Sequence, residues 1–367
     1  MALGLADIFR RYGPAYRQKY AAKLLPSHRQ AMRAIEQCRT AALGGQVYRC
    51  AACEETRYSY YSCRNRHCPK CQHEQTEEWL EVQRGLLLPV PYFLLTFTLP
   101  TELRQLASQN QKCIYNLLFR ASAHATQQLA RDPRFVGGQI GLVGVLHTWT
   151  RNLAYHPHVH YLVPGGGVHA DGQTWLKAHH NFFVPVKALS RLFRAAFQHR
   201  LRKTPLFPQI SPKVWQQDWV VHCKAVGNGQ TALRYLAPYI YRVALSNRRL
   251  VRMENTGSME FSQVTFQYRT SDTGQLKQCT LSAEKFMQRF LQHVLPRGFV
   301  KVRYYGFFGA SVRPRLFALQ QHLETSNPRP ESDPLPPKPV HASPLCPHCG
   351  QPMLFQRTLP PTLCRSP

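Results

Sequence analysis

The sequence predicts an α+β fold, in which helices cover the faces of an antiparallel sheet and a small helical, cysteine-rich domain precedes it. Segments of alternating or continuously apolar residues, rich in β-branched and aromatic types, have the length of strands. Amphipathic segments of helix length lie between them. The segment 46–73 is short, basic and rich in cysteine, with too few apolar residues for a core of its own.

The order of elements follows from these patterns and from their boundary signals. Residues 1–43 have a helical pattern, in which Ser27 can cap a helix that runs to about Cys38 and Gly44-Gly45 ends the region. Further helices are predicted at 75–88, 101–131, 186–202, 231–242 and 283–295. Strands are predicted at 92–99, 138–149, 155–163, 219–224, within 250–282, and at 300–308.

The charge of the chain indicates a nucleic-acid partner. Lys and Arg number 47 against 19 Asp and Glu, a formal net charge of +28. An anionic membrane surface is the alternative, but the charge is spread along the chain, and no basic amphipathic helix lies beside an apolar span. The most apolar run, 86–99, contains Pro89 and Pro91 and is expected to be a buried strand. The N-terminus lacks the pattern of a secretory signal, so we expect a cytoplasmic protein with reduced thiols.

Two pairs of cysteines have the spacing of zinc ligands. Cys50-x2-Cys53 is followed after fourteen residues by Cys68-x2-Cys71. Each pair supplies two thiolates from a tight turn, so the two pairs are predicted to close one tetrahedral structural Zn²⁺ site. A redox dithiol is the alternative, and it is disfavoured because neither pair lies in a strand-to-helix context.

Other potential ligands lie near these pairs. Cys63, His67, His28 and Cys38 could hold a second zinc ion, although the two cysteines could instead be small buried residues. The C-terminal pair, Cys346 and Cys349, resembles half of another zinc site, with Cys364, His341 and His348 nearby. Arg64 and Arg66 are expected at the rim of the zinc fold, where they could contact phosphate.

Histidines 158 and 160 lie on a predicted strand. Side chains two residues apart share one face of a strand, so both imidazoles can reach one metal ion, although a structural histidine pair is the alternative. The metal would be a hard ion on a DNA phosphate, Mg²⁺ or Mn²⁺. Gln230 and His156 are candidates for a third ligand.

Two tyrosines, Tyr235 and Tyr239, are four residues apart on a predicted helix and so share a face. A histidine metal site with one or two tyrosines is what an enzyme needs to cut single-stranded DNA through a phosphotyrosine bond. Arg234 and Arg242 flank the tyrosines and could lower their pKa or hold phosphate, or could form a solvated basic face. The alternative for the tyrosines is an aromatic stripe facing the core.

In their order along the chain, several segments resemble the rolling-circle transposases of the insertion-sequence ninety-one group, which are two-tyrosine enzymes of the HUH type. Each segment alone is modest, but the resemblance runs along nearly the whole chain. The segments are 28–72 with its cysteines, Leu95–Pro100, Leu146–Trp149, His156–His160 with the glycines at 165–167, Tyr235–Ala244, and His293–Phe299.

The resemblance implies a single-strand DNA nuclease and strand transferase with an HUH-type antiparallel sheet. It implies that His158 and His160 hold the catalytic metal and that Tyr235 and Tyr239 are the nucleophiles. Attack would leave a 5′-phosphotyrosine on the enzyme and a free 3′-hydroxyl. The zinc domain would help to recognise the ends of the element. The protein would act at the bacterial nucleoid. The chain departs from the family at Ala283–Phe286 and in its incomplete C-terminal cysteine ribbon.

The expected organisation has four parts. They are a helical and zinc-binding domain (1–85), a nuclease domain (90–325), a proline-rich linker (326–344) and a small cysteine-containing tail (345–367).

Three other functions are compatible with parts of this pattern. A replication initiator or conjugative relaxase uses the same chemistry. A zinc-dependent DNA-binding regulator would explain the charge and the cysteines, but not the histidine strand with its tyrosines. A zinc hydrolase on His158 and His160 is disfavoured, because the nearest acidic residue, Asp171, lies beyond the glycine turn.

Overall fold

A computed structural model describes residues 3–241, 244–270, 273–326 and 343–362. Within these ranges some side chains are not described: 72–76, 78, 235, 238, 239, 241 and 326. Most of the predicted proline-rich linker and Arg242 lie outside the described residues, as do the side chains of Tyr235 and Tyr239.

Helices and strands both contribute, which confirms the predicted α+β class. The α-helices are α1 (Leu5–Lys19), α2 (Pro26–Gln37), α3 (Gln72–Arg84), α4 (Arg104–Gln109), α5 (Gln111–Ala130), α6 (Val186–Leu201), α7 (Gln230–Tyr241), α8 (Ala283–Leu291) and α9 (Arg313–Ser326). The strands are β1 (Gly45–Cys50), β2 (Thr56–Tyr60), β3 (Tyr92–Thr98), β4 (Leu142–Trp149), β5 (Tyr155–Pro164), β6 (Gly166–Val168), β7 (Trp175–Lys177), β8 (Val221–Ala225), β9 (Leu250–Glu254), β10 (Gln263–Arg269), β11 (Leu276–Ser282), β12 (Val302–Tyr305) and β13 (Met353–Leu359). The single helix predicted at 101–131 is interrupted at Asn110, whose φ of −125° is not helical.

The chain forms two compact units, which we call the zinc unit and the sheet unit. The zinc unit comprises Met1–His73, Leu245–Val294 and Glu331–Pro367, and the sheet unit comprises Glu74–Ala244 and Leu295–Pro330. The segment 245–294 was expected within the central domain, but it packs with the N-terminal helices instead. Contacts between residues so distant in sequence leave no local pattern that could have revealed this grouping.

In the zinc unit, α1 packs against α8 through buried aromatic rings. The rings of Phe9 and Phe290 lie 5.5 Å apart in an edge-to-face arrangement, and both residues are fully buried. Burial of such a side chain stabilises the fold by about 1.5–3 kcal/mol. Lys19 at the end of α1 forms an ion pair of 2.8 Å with Glu284 on α8. Two three-stranded antiparallel sheets complete this unit, in the orders β13-β1-β2 and β11-β10-β9.

The sheet unit is built on a five-stranded sheet of order β12-β4-β5-β3-β8, in which every neighbouring pair is antiparallel. Helices α5 and α6 cover one face of this sheet, where Leu146, Val159 and Tyr161 lie in their apolar core. Helices α3, α7 and α9 cover the other face, where Val145 and Leu162 contribute to a second core. Among the described residues, no helix combines the length and apolar character needed to span a membrane.

Candidate active site and cysteine clusters

Three imidazoles meet on one face of the five-stranded sheet. They belong to His147 on β4 and to His158 and His160 on β5, and their ligand nitrogens lie within 4.8 Å of one another. The ring centroids of His147 and His160 are 4.5 Å apart, and those of His158 and His160 are 4.9 Å apart. Only 3% of His147 and 7% of His160 is exposed. The three nitrogens are therefore close enough to bind one small ion together.

The strand register brings His147 into this group. His147 pairs directly with His158 across the β4–β5 ladder, while Trp149 pairs with Tyr155. Two residues on β4 thus span three on β5, which is the signature of a β-bulge. The five pairs from Val143–Leu162 to His147–His158 form one continuous register, and the bulge lies beyond His147. The regular register of β4 against β5 therefore places the third imidazole beside the predicted pair.

Hydrogen bonds fix two of the rings. Nδ1–H of His158 donates to the backbone carbonyl of His156 at 2.7 Å, which leaves Nε2 as the nitrogen with a free lone pair. Nδ1 of His160 is 2.8 Å from the hydroxyl of Thr96 on β3. Contacts of this kind orient metal-binding histidines in proteins.

Burial keeps these imidazoles neutral. It lowers the pKa of His158 to about 4 and lowers the pKa of His147 and of His160 well below the usual value. Neighbouring imidazoles lower the pKa of His147 and His160 further. A neutral imidazole is the form that binds a metal, so this donor set fits a divalent ion at neutral pH.

The two predicted third ligands occupy different surroundings. Nδ1 of His156 accepts a hydrogen bond of 2.7 Å from the guanidinium of Arg104, so this lone pair is already used. His156 shares the parity of His158, as predicted, but it is not part of the three-histidine group. Gln230 is exposed at the first position of α7, and its role as a ligand stays a prediction. His147 was missed as a ligand because the pairing register of β4 against β5 has no sequence signature.

A buried lysine lies beside this group and was also missed. The ammonium of Lys301 is 4.8 Å from the ring centroid of Trp149, which in turn stacks on His147 with 5.5 Å between centroids. Its positive charge contributes to the lowered pKa of His147. A fixed positive charge at this position suits an anionic substrate.

Helix α7, which carries Tyr235 and Tyr239, packs on the sheet face that holds the imidazoles. Its buried residues lie in one core with Val143, Val145 and Leu162, which have the strand parity of the three histidines. The two tyrosines occupy positions four apart on this helix. Arg234 is exposed on α7. The buried residues of α7 are Ala232, Leu233, Leu236, Ala237 and Ile240.

The cysteines form two groups of four, and the grouping differs from the predicted one. Cys38, Cys63, Cys68 and Cys71 form the first group, which we call the inner cluster. Cys50 and Cys53 do not join Cys68 and Cys71. They meet the C-terminal pair in a second group, which we call the split cluster. The split cluster consists of Cys50, Cys53, Cys346 and Cys349.

Strand geometry explains why Cys50 and Cys53 do not meet the cysteines that follow β2. Cys50 and Cys53 lie at the turn that joins β1 to β2, and β2 then runs antiparallel until Tyr60 pairs with Gly45. Five residues of strand carry the chain about 17 Å from that turn. Cys63 therefore follows at the opposite end of the hairpin, where Arg39 N–H donates to the carbonyl of Tyr61 at 3.1 Å and brings in the end of α2.

The remaining predicted residues of the zinc unit lie outside both clusters. His67 is buried, and its backbone N–H donates to Asn65 Oδ1 at 2.9 Å. Burial lowers the pKa of His28 to about 4. Arg64 is exposed, while Arg66 is half-buried and its burial lowers its pKa.

Each cluster contains a thiol whose pKa is lowered. Hydrogen bonding with Cys63 lowers the pKa of Cys38 to about 7, and the backbone N–H of Cys53 lowers the pKa of Cys50 to about 7. Thiolate is the form that binds zinc. Among the described residues every cysteine is a free thiol.

Known proteins match the chain over both units. A family model described as "Putative transposase" matches residues 141–315, and one described as "Transposase zinc-binding domain" matches residues 8–99. Together with the fold and the clustered ligands, these matches define a DNA transposase with a zinc-binding domain. No solved structure matches the chain.

Two relatives specify the family. "Putative transposase y4qJ" of Sinorhizobium fredii is 43% identical over 333 residues, which are 86% of this chain and 82% of that protein. "Transposase for insertion sequence element IS801" of Pseudomonas savastanoi pv. phaseolicola is 30% identical over 295 residues, which are 75% of this chain and 68% of that protein. The chain belongs to the IS91-like family of insertion-sequence transposases.

Proposed function

We propose that this transposase cuts and rejoins single-stranded DNA by metal-dependent chemistry with a tyrosine nucleophile. One observation carries the proposal: three buried, neutral imidazoles share the sheet face on which the tyrosine helix packs. A purely structural histidine group would not need three neutral imidazoles whose ligand nitrogens lie within 4.8 Å of one another.

His147, His158 and His160 would hold the divalent ion, Mg²⁺ or Mn²⁺. When bound, such an ion polarises the scissile phosphate and offsets the charge that develops in the transition state. The hydrogen bonds of His158 and His160 hold two of these ligands in place before any metal arrives. In this proposal His147 takes the place for which His156 and Gln230 were candidates.

Tyr235 and Tyr239 are the proposed nucleophiles. The phenolic oxygen attacks phosphorus and the bond between phosphorus and the 3′-oxygen breaks. The electron pair of that bond goes to the 3′-oxygen, which takes up a proton, while the phenol loses its proton. The products are a 5′-phosphotyrosine and a free 3′-hydroxyl. One phosphodiester replaces another, so the same site can run the step in reverse and join strands. A second tyrosine permits a second cut while the first adduct persists.

Basic residues supply the remaining DNA contacts in this proposal. A tyrosine with a pKa near 10 is a weak nucleophile, so a cation nearby is needed to favour its anion. Arg234 on α7 and Arg242 just beyond that helix are the nearest candidates in sequence. Arg64 and Arg66, between the cysteines of the inner cluster, are proposed to contact phosphates at the ends of the element.

Cleavage of labelled single-stranded oligonucleotides tests the function. The oligonucleotides tile the DNA that flanks the gene, with Mn²⁺ or with EDTA, and a denaturing gel detects the covalent protein–DNA adduct. We expect a metal-dependent adduct that Tyr235→Phe or Tyr239→Phe removes or weakens. Tyr268→Phe, in β10 of the zinc unit, is the matched control. Binding without an adduct under any metal would contradict the catalytic assignment and favour a DNA-binding protein.

A further inference from the structure

We propose that the split cluster is a zinc site assembled from the two ends of the chain, separate from the inner cluster. Cys50 and Cys349 are 299 residues apart in sequence, yet their sulfurs are 3.4 Å apart. Cys53 lies 3.5 Å from both Cys346 and Cys349. These separations exceed the roughly 2.05 Å of a disulfide bond and suit four thiolates around one ion. The matching zinc-binding family model ends at residue 99 and so does not include the C-terminal pair.

The two halves of this cluster have the same backbone geometry. The N–H of Cys50 donates to the carbonyl of Glu55 at 2.9 Å, and the N–H of Glu54 donates to the carbonyl of Cys50 at 3.0 Å. In the C-terminal half, Cys346 N–H donates to Gln351 at 2.8 Å, and Gly350 N–H donates to Cys346 at 2.9 Å. The spacing is identical in both.

The match extends to the turn conformation. Glu54 and Gly350 follow their pairs at the same position, and both have positive φ, 57° and 74°. A non-glycine residue rarely adopts this conformation, so Glu54 is held there by its surroundings. Two equivalent turns, each presenting two sulfurs, form the architecture of a four-thiolate zinc ribbon.

Strand pairing brings the halves together. β13 pairs antiparallel with β1, with Cys50 opposite Met353 and Gly45 opposite Leu359. β1 is the central strand of the sheet β13-β1-β2, so without β13 only a two-stranded hairpin remains, which is marginally stable in water. The C-terminal segment therefore completes the sheet as well as the cluster.

Apolar packing around the split cluster is too small to hold this segment by itself. Its buried core consists of Cys50, Cys346 and Met353, with Tyr48 and Cys53 packed against it. On β13, Leu354 and Phe355 are 58% and 53% exposed. Small domains with so little core depend on a metal for their stability. We infer that zinc fastens the C-terminal segment to the N-terminal ribbon.

Metal counting on the full-length chain tests this site. The protein is reconstituted with Co²⁺, whose thiolate charge-transfer band reports only cysteine-bound metal and ignores the histidine group. We expect the double variant Cys346→Ser/Cys349→Ser to lose half of this absorbance and half of the zinc measured by elemental analysis. The matched control, Cys223→Ser/Cys279→Ser, changes two cysteines outside both clusters and keeps the full amount. An unchanged metal content in the first variant would overturn the proposal.

If the double variant fails to fold and loses all metal, a second readout on the wild-type protein tests the site. Thiols of the wild-type protein are alkylated during stepwise zinc removal, and mass spectrometry identifies each modified cysteine. We expect Cys346 and Cys349 to become reactive in the same step as Cys50 and Cys53. Reaction of the C-terminal pair while Cys50 and Cys53 stay protected would overturn the proposal.

Discussion

His147 lies directly opposite His158 on neighbouring antiparallel strands, with 5.2 Å between their ring centroids. The pairing adds a third imidazole, from β4, to the two-residue histidine motif on β5. It depends on the register of β4 against β5, so the site is a product of sheet register as much as of the motif.

Replacing His147 by alanine should weaken metal-dependent cleavage. Loss of one of three nitrogen ligands should raise the Mn²⁺ concentration needed for half-maximal cleavage by about 100-fold or more, since even outer partners of ligands cost about 10–100-fold. A titration of cleavage rate against Mn²⁺ measures the effect. His156→Gln, two residues from His158 but held by Arg104, is the control. Equal losses in both variants would contradict the assignment of His147.

Replacing Thr96 by valine should lower metal affinity without disturbing the fold. The change keeps the shape of the side chain and removes the hydroxyl that lies 2.8 Å from Nδ1 of His160. We expect Mn²⁺ affinity to fall by about 10–100-fold, because the ring loses the contact that orients it. Binding of Mn²⁺ can be followed directly by calorimetry.

Thr98→Val is the matched control for this change. Thr98 lies on the same strand and, two residues further on, has the same parity. It pairs with His158 across the ladder, whereas the imidazole of His158 is oriented by a backbone carbonyl. A Thr96→Val protein with unchanged Mn²⁺ affinity would show that the hydroxyl has no role in orientation.

The sheet and its histidine pair could be predicted because their signals are local. Alternation along 92–99 and 155–163 identifies strands, and the spacing of His158 and His160 places them on one face. The third imidazole could not be predicted, because cross-strand register determines it. Similarly, the two cysteine pairs nearest in sequence were expected to share an ion, whereas antiparallel pairing of β1 and β2 separates them.

The domain boundary illustrates the same limit. The segment 245–294 follows the tyrosine helix in sequence, so it was grouped with the central domain. Its actual partners are at the N-terminus, where Phe9 packs on Phe290 and Lys19 pairs with Glu284. The apolar face of an amphipathic helix shows that the helix packs against another element, but it does not identify that element.

Removing the inner cluster should destabilise the zinc unit. Cys38→Ser replaces one of four thiolates, and an incomplete structural site binds zinc weakly and loses the coupled folding free energy. We expect an earlier thermal transition and loss of one zinc ion per chain. Differential scanning calorimetry with elemental analysis measures both. Cys113→Ser, a half-buried cysteine outside both clusters, is the control. Full zinc content in the Cys38 variant would contradict this role.

The ion pair between α1 and α8 should make the stability of the zinc unit depend on pH. Hydrogen bonds from Lys19 and Tyr20 lower the pKa of Glu284 below its usual value of 4.5. A carboxyl with a depressed folded-state pKa stabilises the fold above its unfolded pKa. That contribution is lost as the pH falls through the folded-state value. Glu284→Gln should therefore lower the free energy of unfolding by about 1 kcal/mol at pH 7, and this difference should vanish in acid. Denaturant titrations at several pH values measure it.

Glu260→Gln removes a more exposed partner of Lys19, and we expect a smaller effect. A penalty for Glu284→Gln that persists unchanged in acid would show that it arises from packing instead of charge.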